Sequence, residues 1–136
     1  GVPIEIRHFV SPSEWEPGEL ERRMWIRAHG ALPDDRVVHN LVLTYLSDLA
    51  LLGTSVRMHA PNFDQIMGAS LDHALWFHRP VRADEWLLYS MTSPSASGAR
   101  GFNVGYFFTE DGILVASAAQ EGLMRPITPP DRSEDR

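Results

Sequence analysis

Between Pro33 and Gly53 the chain carries Val37-Val-His-Asn-Leu-Val-Leu-Thr-Tyr-Leu-Ser-Asp-Leu-Ala-Leu-Leu52, a run that is apolar nearly all round. A helix of that kind is buried on most sides, so the rest of the chain must wrap it. Pro33-Asp34-Asp35 supplies a start with acidic residues suited to the first turn, and Gly53 supplies a stop, which predicts a helix over about residues 35–52. What remains reads as strands. Alternation marks Pro3 to Phe9, Arg23 to Ala28, Ile66 to Arg79, Glu85 to Thr92, Ala99 to Thr109 and Ile113 to Arg125. Ser11 to Glu19 and Thr54 to Asp64 read as loops, Ser93 to Gly98 as a turn, and Asp111-Gly112 as a type I′ hairpin.

This order, two strands, one helix and then four long strands, predicts an α+β domain with an antiparallel sheet. One helix buried on most sides implies a strongly curved sheet wrapped around it, the hot-dog architecture in outline. A length of 136 residues with 43% hydrophobic side chains supports one domain, placed at residues 1–125. The tail 126–136, with three prolines and mixed charges, reads as flexible.

Composition removes several functions. Without cysteine there is no disulfide framework, thiolate nucleophile or Cys-ligated metal, and a reducing cytoplasm fits. All twelve cations are Arg, so Schiff-base chemistry and a P-loop lysine are excluded. A net charge of −6 with no long basic run argues against nucleic acid or an anionic membrane as partner. The apolar stretch Leu41 to Leu52 is interrupted by Thr44, Ser47 and Asp48 and is too short to span a bilayer.

Three places hold polar residues where apolar ones are expected. On the helix, Leu41, Tyr45, Asp48 and Leu52 form one stripe, so Asp48 interrupts an apolar face. It is either a structural carboxylate satisfied by amides or Arg, or one with a task. Thr44 and Ser47 beside it read as back-bonding to helix carbonyls. In the last strand, Gln120 follows Ala116 and Ala118 on its own face, where small neighbours leave room for a ligand. The other reading is a Gln that satisfies backbone. In the third place, Ser70, Asp72 and His78 alternate onto one strand face and His73 onto the other, which denies Asp72 and His73 a catalytic triad. The histidines lack zinc spacing, so no metal and no cofactor are expected. The Ser93 to Gly101 turn with Arg100 offers a nest for a phosphate, or is simply a turn.

Several longer motifs occur in order: Ser-Asp-Leu-Ala-Leu-Leu52, Ser70-Leu-Asp-His-Ala-Leu-Trp-Phe-His-Arg-Pro80, Trp86-Leu-Leu-Tyr89, Ser95-Ala-Ser-Gly-Ala-Arg-Gly101 and Ala119-Gln-Glu-Gly-Leu-Met-Arg125. Through them the chain resembles the acyl-CoA thioesterase II family, in particular its C-terminal hot-dog half. The resemblance implies hydrolysis of acyl-CoA to free acid and CoA, with a water activated by a helix Asp, a strand hydroxyl and a strand Gln. Those roles fall on Asp48, Ser70 and Gln120, with Ser70 standing where many members have Thr. Arg100 is the candidate for binding the substrate's phosphates. Family members usually carry two hot-dog repeats and this chain resembles only the second. It is therefore expected to pair with another hot-dog repeat or to homodimerise, and its start at Gly1 suits an excised half. The alternatives are a non-catalytic acyl-CoA-binding or dimerisation module and, from a third class, a hot-dog enoyl-CoA hydratase.

Overall fold

The computed structural model describes residues 3–9, 21–60 and 66–127. Its elements in chain order are β1 (Ile4–His8), β2 (Arg22–Ala28), α1 (Arg36–His59), β3 (Ile66–Ser70), β4 (Ala74–Phe77), β5 (Leu87–Ser97), β6 (Arg100–Phe108) and β7 (Leu114–Pro126). All strand pairings are antiparallel, in the order β1-β2-β5-β6-β7-β3, with β4 also on β7. Strands β3 and β4 lie end to end along one edge of β7, opposite residues 122–126 and 116–119 respectively. Strands β2 to β7 all touch α1, so the sheet curls around the helix as the sequence predicts. The predicted loop over residues 11–19 and the tail from residue 128 onward lie outside the described residues. Pro126, assigned to the tail, instead ends β7 opposite Ile66.

The helix starts as expected and ends later. Asp35 caps it, its carboxylate accepting the Val37 N–H at 2.8 Å. His39, buried in the first turns, accepts the Ala83 N–H on Nδ1 at 3.0 Å and so donates from Nε2 to the Pro33 carbonyl at 3.0 Å. That pair of bonds fastens the helix start to the segment before β5. Gly53 does not stop the helix, which runs on through Thr54, Ser55 and Val56 because all three are buried against the sheet. Packing outweighs the roughly 1 kcal/mol that a mid-helix glycine costs. The Thr54 and Ser55 hydroxyls give their hydrogens to the Ala50 and Leu52 carbonyls. At 24 residues the helix is long and apolar enough to cross a membrane by composition, yet Leu43, Leu46 and Leu51 are fully buried against the sheet, as in a core helix.

Two turns differ from expectation. The predicted turn at Ser93 to Gly98 is largely strand: β5 continues to Ser97, and the hairpin closes at Gly98 and Ala99, both with positive φ. Pro94, which has no N–H to give the ladder, sits in the register shift between Thr92 and Ser95, a bulge that the strand accommodates without ending. At Asp111-Gly112 the hairpin forms, but only Gly112 has positive φ, and its N–H bonds the Thr109 carbonyl at 3.0 Å. A type I′ turn needs two positive φ values, so this is a type I turn followed by a glycine bulge.

The core centres on Tyr89, whose ring stacks on Phe107 at 3.9 Å between centroids and whose hydroxyl donates to the Ser47 carbonyl at 2.7 Å. Burial pushes the Tyr89 hydroxyl pKa well above its ordinary value, so it remains a donor. Gly105 faces this ring: a Cβ there would lie 2.5 Å from Tyr89 Cε2. The stack and the hydroxyl bond leave the ring nowhere to go. Replacing Gly105 with Ala is expected to cost about 1–3 kcal/mol of unfolding free energy, read as a lower urea midpoint at unchanged slope. An unchanged midpoint would show that the ring yields.

Candidate active site

The strand predicted over Ile66 to Arg79 is broken, and the break builds the site. Residues Leu71, Asp72 and His73 leave the sheet between β3 and β4. The segment is pinned twice to β7: the Leu71 N–H donates to the Glu121 carbonyl at 2.9 Å, and Asp72 Oδ1 accepts the Glu121 N–H at 2.7 Å. With the alternation interrupted, His73 no longer opposes Ser70. Both side chains reach Gln120.

Gln120 has no accessible surface, so its amide depends on protein partners. Its Nε2 donates to Ser70 Oγ at 2.6 Å, and its Oε1 lies 2.6 Å from His73 Nδ1. Ser70 Oγ in turn donates to Asp48 Oδ1 at 3.5 Å, the longest link in the chain. His73 Nδ1 is itself 3.8 Å from Asp48 Oδ1, and its Nε2 is 2.7 Å from Ser47 Oγ. The three residues singled out from sequence thus come together, and His73, dismissed there as facing away, joins them.

The environments differ from expectation in instructive ways. Asp48 does not interrupt a buried face: its side chain is 56% exposed, and its neighbours Leu41 and Tyr45 are 65% and 56% exposed. The carboxylate therefore stands at the border between the covered and uncovered sides of α1. The room expected beside Gln120 is filled, since Ala116 and Ala118 belong to the core under the helix. Thr44 bonds the Asn40 carbonyl and Ser47 the Thr44 carbonyl, the back-bonding read from sequence.

Other candidates lie elsewhere. Arg100 pairs with Glu121 at 3.1 Å and lines neither groove beside Asp48. Ser95 to Ser97, read as part of a turn, are paired to β6. His78 pairs with Ser117 at 2.8 Å. Among the described residues no three His, Asp or Glu groups cluster as a metal site.

Two grooves meet at Asp48, Leu49 and Ser70. One, about 550 Å³, runs toward the start of α1 between Leu41, Tyr45 and Leu71 to His73. The other, about 540 Å³, runs toward the helix end between Leu52, Gly53, Val56, Ile66 and Gly68. Asp48 and Ser70 thus have a trough on either side, an arrangement suited to an elongated molecule.

The environments predict unequal stability effects. Asp48→Ala, at an exposed position, should change unfolding free energy by less than about 0.5 kcal/mol. Gln120→Leu should cost about 1–3 kcal/mol, because it removes the two hydrogen bonds that the buried amide makes to Ser70 and His73. Denaturant titration of both variants checks this, and equal costs would contradict the burial pattern.

A family model described as acyl-CoA thioesterase matches residues 6–123. Acyl-coenzyme A thioesterase 8 of Mus musculus is 42% identical over 127 residues, covering 91% of this chain and 40% of that protein. Acyl-CoA thioesterase 2 of Haemophilus influenzae (strain ATCC 51907 / DSM 11121 / KW20 / Rd) is 34% identical, covering 90% of this chain and 44% of that protein. Among solved structures, an acyl-CoA thioesterase II (TesB2) from Mycobacterium marinum superposes with a TM-score of 0.81 at 44% identity, over 92% of this chain and 50% of that one. A conserved protein with hot dog fold from Alicyclobacillus acidocaldarius shares the fold at a TM-score of 0.69 and 17% identity, over 92% of this chain and 46% of that one. The chain spans half or less of the length of these relatives. A family match over nearly all of its folded part, on a sheet curled around one helix, places the chain in the acyl-CoA thioesterase family, with a hot-dog fold.

Proposed function

We propose that this chain is the hot-dog repeat of an acyl-CoA thioesterase that carries the catalytic carboxylate. It hydrolyses acyl-CoA to free acid and CoA without a covalent intermediate. The observation that carries the reading is the hydrogen-bond chain from Gln120 through Ser70 to Asp48, ending where two apolar grooves meet. A thioester laid across that junction has its acyl chain in one trough and its pantetheine arm in the other.

In this mechanism a water held between Asp48 and Ser70 gives a proton to the Asp48 carboxylate as its oxygen attacks the thioester carbon. The 3.5 Å gap between the Ser70 hydroxyl and Asp48 lets a water compete for both groups. The C–S bond then breaks, and the CoA thiolate takes the proton back from Asp48. Gln120, being fully buried, acts through Ser70 and not on the water itself.

The half-length supports a further part of the proposal. Val37, Leu41, Tyr45 and Leu49 recur at four-residue spacing on the uncovered side of α1 and are 46–65% exposed. A row of that kind is an interaction surface. The partner is a second hot-dog repeat, from a longer chain or from a second copy, which lies over this row and closes the grooves. The same row favours a second reading, a module that binds acyl-CoA or dimerises without catalysis.

Free-thiol release from a medium-chain acyl-CoA, followed across protein concentrations that span self-association, separates the two. Turnover that rises with association and falls about 10²- to 10⁴-fold in Asp48→Asn, with acyl-CoA still bound, is the expected result. Binding without thiol release at every concentration would favour the non-catalytic module. Leu41→Glu should abolish concentration-dependent turnover by keeping the uncovered helix face apart from its partner, with sedimentation velocity reporting the loss of the larger species.

A further inference from the structure

We propose that His73 is a positioning residue that fixes the direction of the hydrogen-bond chain leading to Asp48, holding the Ser70 hydroxyl as a donor to that carboxylate. The inference rests on the reading of Asp48 and Ser70 as hydrolytic residues and adds a residue that neither sequence spacing nor that reading supplied.

The argument starts from the asymmetry of a side-chain amide: its oxygen only accepts and its nitrogen only donates. Gln120 Oε1, at 2.6 Å from His73 Nδ1, therefore requires a hydrogen on Nδ1. Gln120 Nε2, at 2.6 Å from Ser70 Oγ, has only hydrogens to give, so Ser70 accepts there. Its own hydrogen is left for Asp48. Every bond thus points the same way, from His73 through Gln120 and Ser70 to the carboxylate.

Ser70 cannot set this direction, because a hydroxyl accepts from an amide nitrogen as readily as it donates to an amide oxygen. With the amide turned over, Oε1 would take the hydroxyl hydrogen, and Ser70 would present lone pairs to the Asp48 carboxylate. Two acceptors would then face each other across the water site. The choice falls to the neighbour on the far side of Gln120, which is His73. Its Nδ1 hydrogen is secured from behind. Nε2 is 2.7 Å from Ser47 Oγ, whose hydrogen goes either to that nitrogen or to the Thr44 carbonyl at 2.8 Å. In the first case the ring's hydrogen sits on Nδ1; in the second Nε2 gives its hydrogen to Ser47, and a neutral ring would leave Nδ1 an acceptor. Only the first matches an amide oxygen on Nδ1, so Ser47 donates to Nε2. Asp48 Oδ1, 3.8 Å from Nδ1, favours a hydrogen on the same nitrogen. The ring is in place because Asp72 holds the Leu71 to His73 break against Glu121.

The test uses geometry-matched replacements. An Asn side chain places a donor where Nδ1 lies, a Gln side chain places one near Nε2, and Ala offers neither. In thioester hydrolysis His73→Ala is expected to lower kcat about 10- to 100-fold with KM within twofold, as for loss of alignment at a reacting centre. His73→Asn should recover most of that loss, and His73→Gln should not. Gln120→Glu, which accepts from both neighbours and so reverses the Ser70 bond, should match the loss in His73→Ala although the His73 contact survives. A second readout needs no turnover: the two Gln120 side-chain amide protons should be distinct and slow to exchange by NMR in the native chain and in His73→Asn, and fast to exchange in His73→Ala. Should His73→Ala fail to fold, the Asn and Gln pair carries the comparison. Equal kcat and equal amide exchange in His73→Asn and His73→Gln, or His73→Ala within threefold of native turnover, would overturn the inference. If Asp48→Asn also retained activity, the hydrolytic reading itself would fall. Loss in Asp48→Asn with indifference at His73 would sink only the positioning role.

Discussion

A single curled sheet covers part of a helix's circumference and leaves the rest open. Here the covered part takes Leu43, Leu46, Leu51 and the buried Ser47, Thr54 and Ser55, while Val37, Leu41, Tyr45 and Leu49 look outward. Asp48 falls on the border. That placement determines its cost and its use, since a carboxylate with half its surface in water carries little of the several kcal/mol that full burial would impose. The same placement opens it to the two grooves, whose walls are the helix on one side and the β3 edge with the following break on the other. Gly122, on β7 opposite Ser70, lets Leu52 close onto the sheet there; a Cβ at Gly122 would lie 2.1 Å from Leu52 Cδ1.

Behind the exposed carboxylate the environment reverses. Gln120 is sealed in, and its amide is satisfied on both ends by short bonds. Buried polar groups of this kind tolerate little misorientation, because a broken bond has no water to replace it. The Asp48 carboxylate and Ser70 thus meet solvent at the front, while the amide behind them is dry. Asn103, paired across the ladder with Gln120 and fully buried, adds a second amide to this dry layer, and its Oδ1 has no hydrogen-bond partner.

Much of this was legible in the residues. The helix start, the order of elements along the chain and the curled antiparallel sheet followed from capping residues and periodicity, since apolar alternation reports which face of each strand meets the core. Asp48 and Gln120 stood out from the residues and Ser70 through the family resemblance, and the three do meet, though Asp48 stood out for a partly mistaken reason: among the described residues the stripe it interrupts is exposed, not core. Hydrophobicity alone does not separate a face buried by its own sheet from one left for another partner. The helix end was misplaced because a glycine's local cost is visible in sequence, whereas the burial of Thr54 to Val56 that outweighs it depends on the distant strands. His73 was missed because an unbroken strand was assumed from Ile66 to Arg79, and one extra bend changes which side every later residue faces. The available signal was Asp72, a residue poor at continuing a strand and good at binding a neighbouring backbone N–H.

The border position of Asp48 carries a consequence for assembly. In the proposed pairing, a repeat that covers Val37, Leu41, Tyr45 and Leu49 would also roof the grooves, so the pairing surface and the proposed thioester site are continuous. Two binding events that share a wall are thermodynamically linked, and the linkage is reciprocal: whatever factor pairing adds to substrate affinity, substrate adds to pairing. Joining two such repeats in one polypeptide would replace a concentration-dependent encounter with a fixed high effective concentration. On the proposed reading, the exposed row on one helix would tie the stoichiometry of the protein to the occupancy of its site.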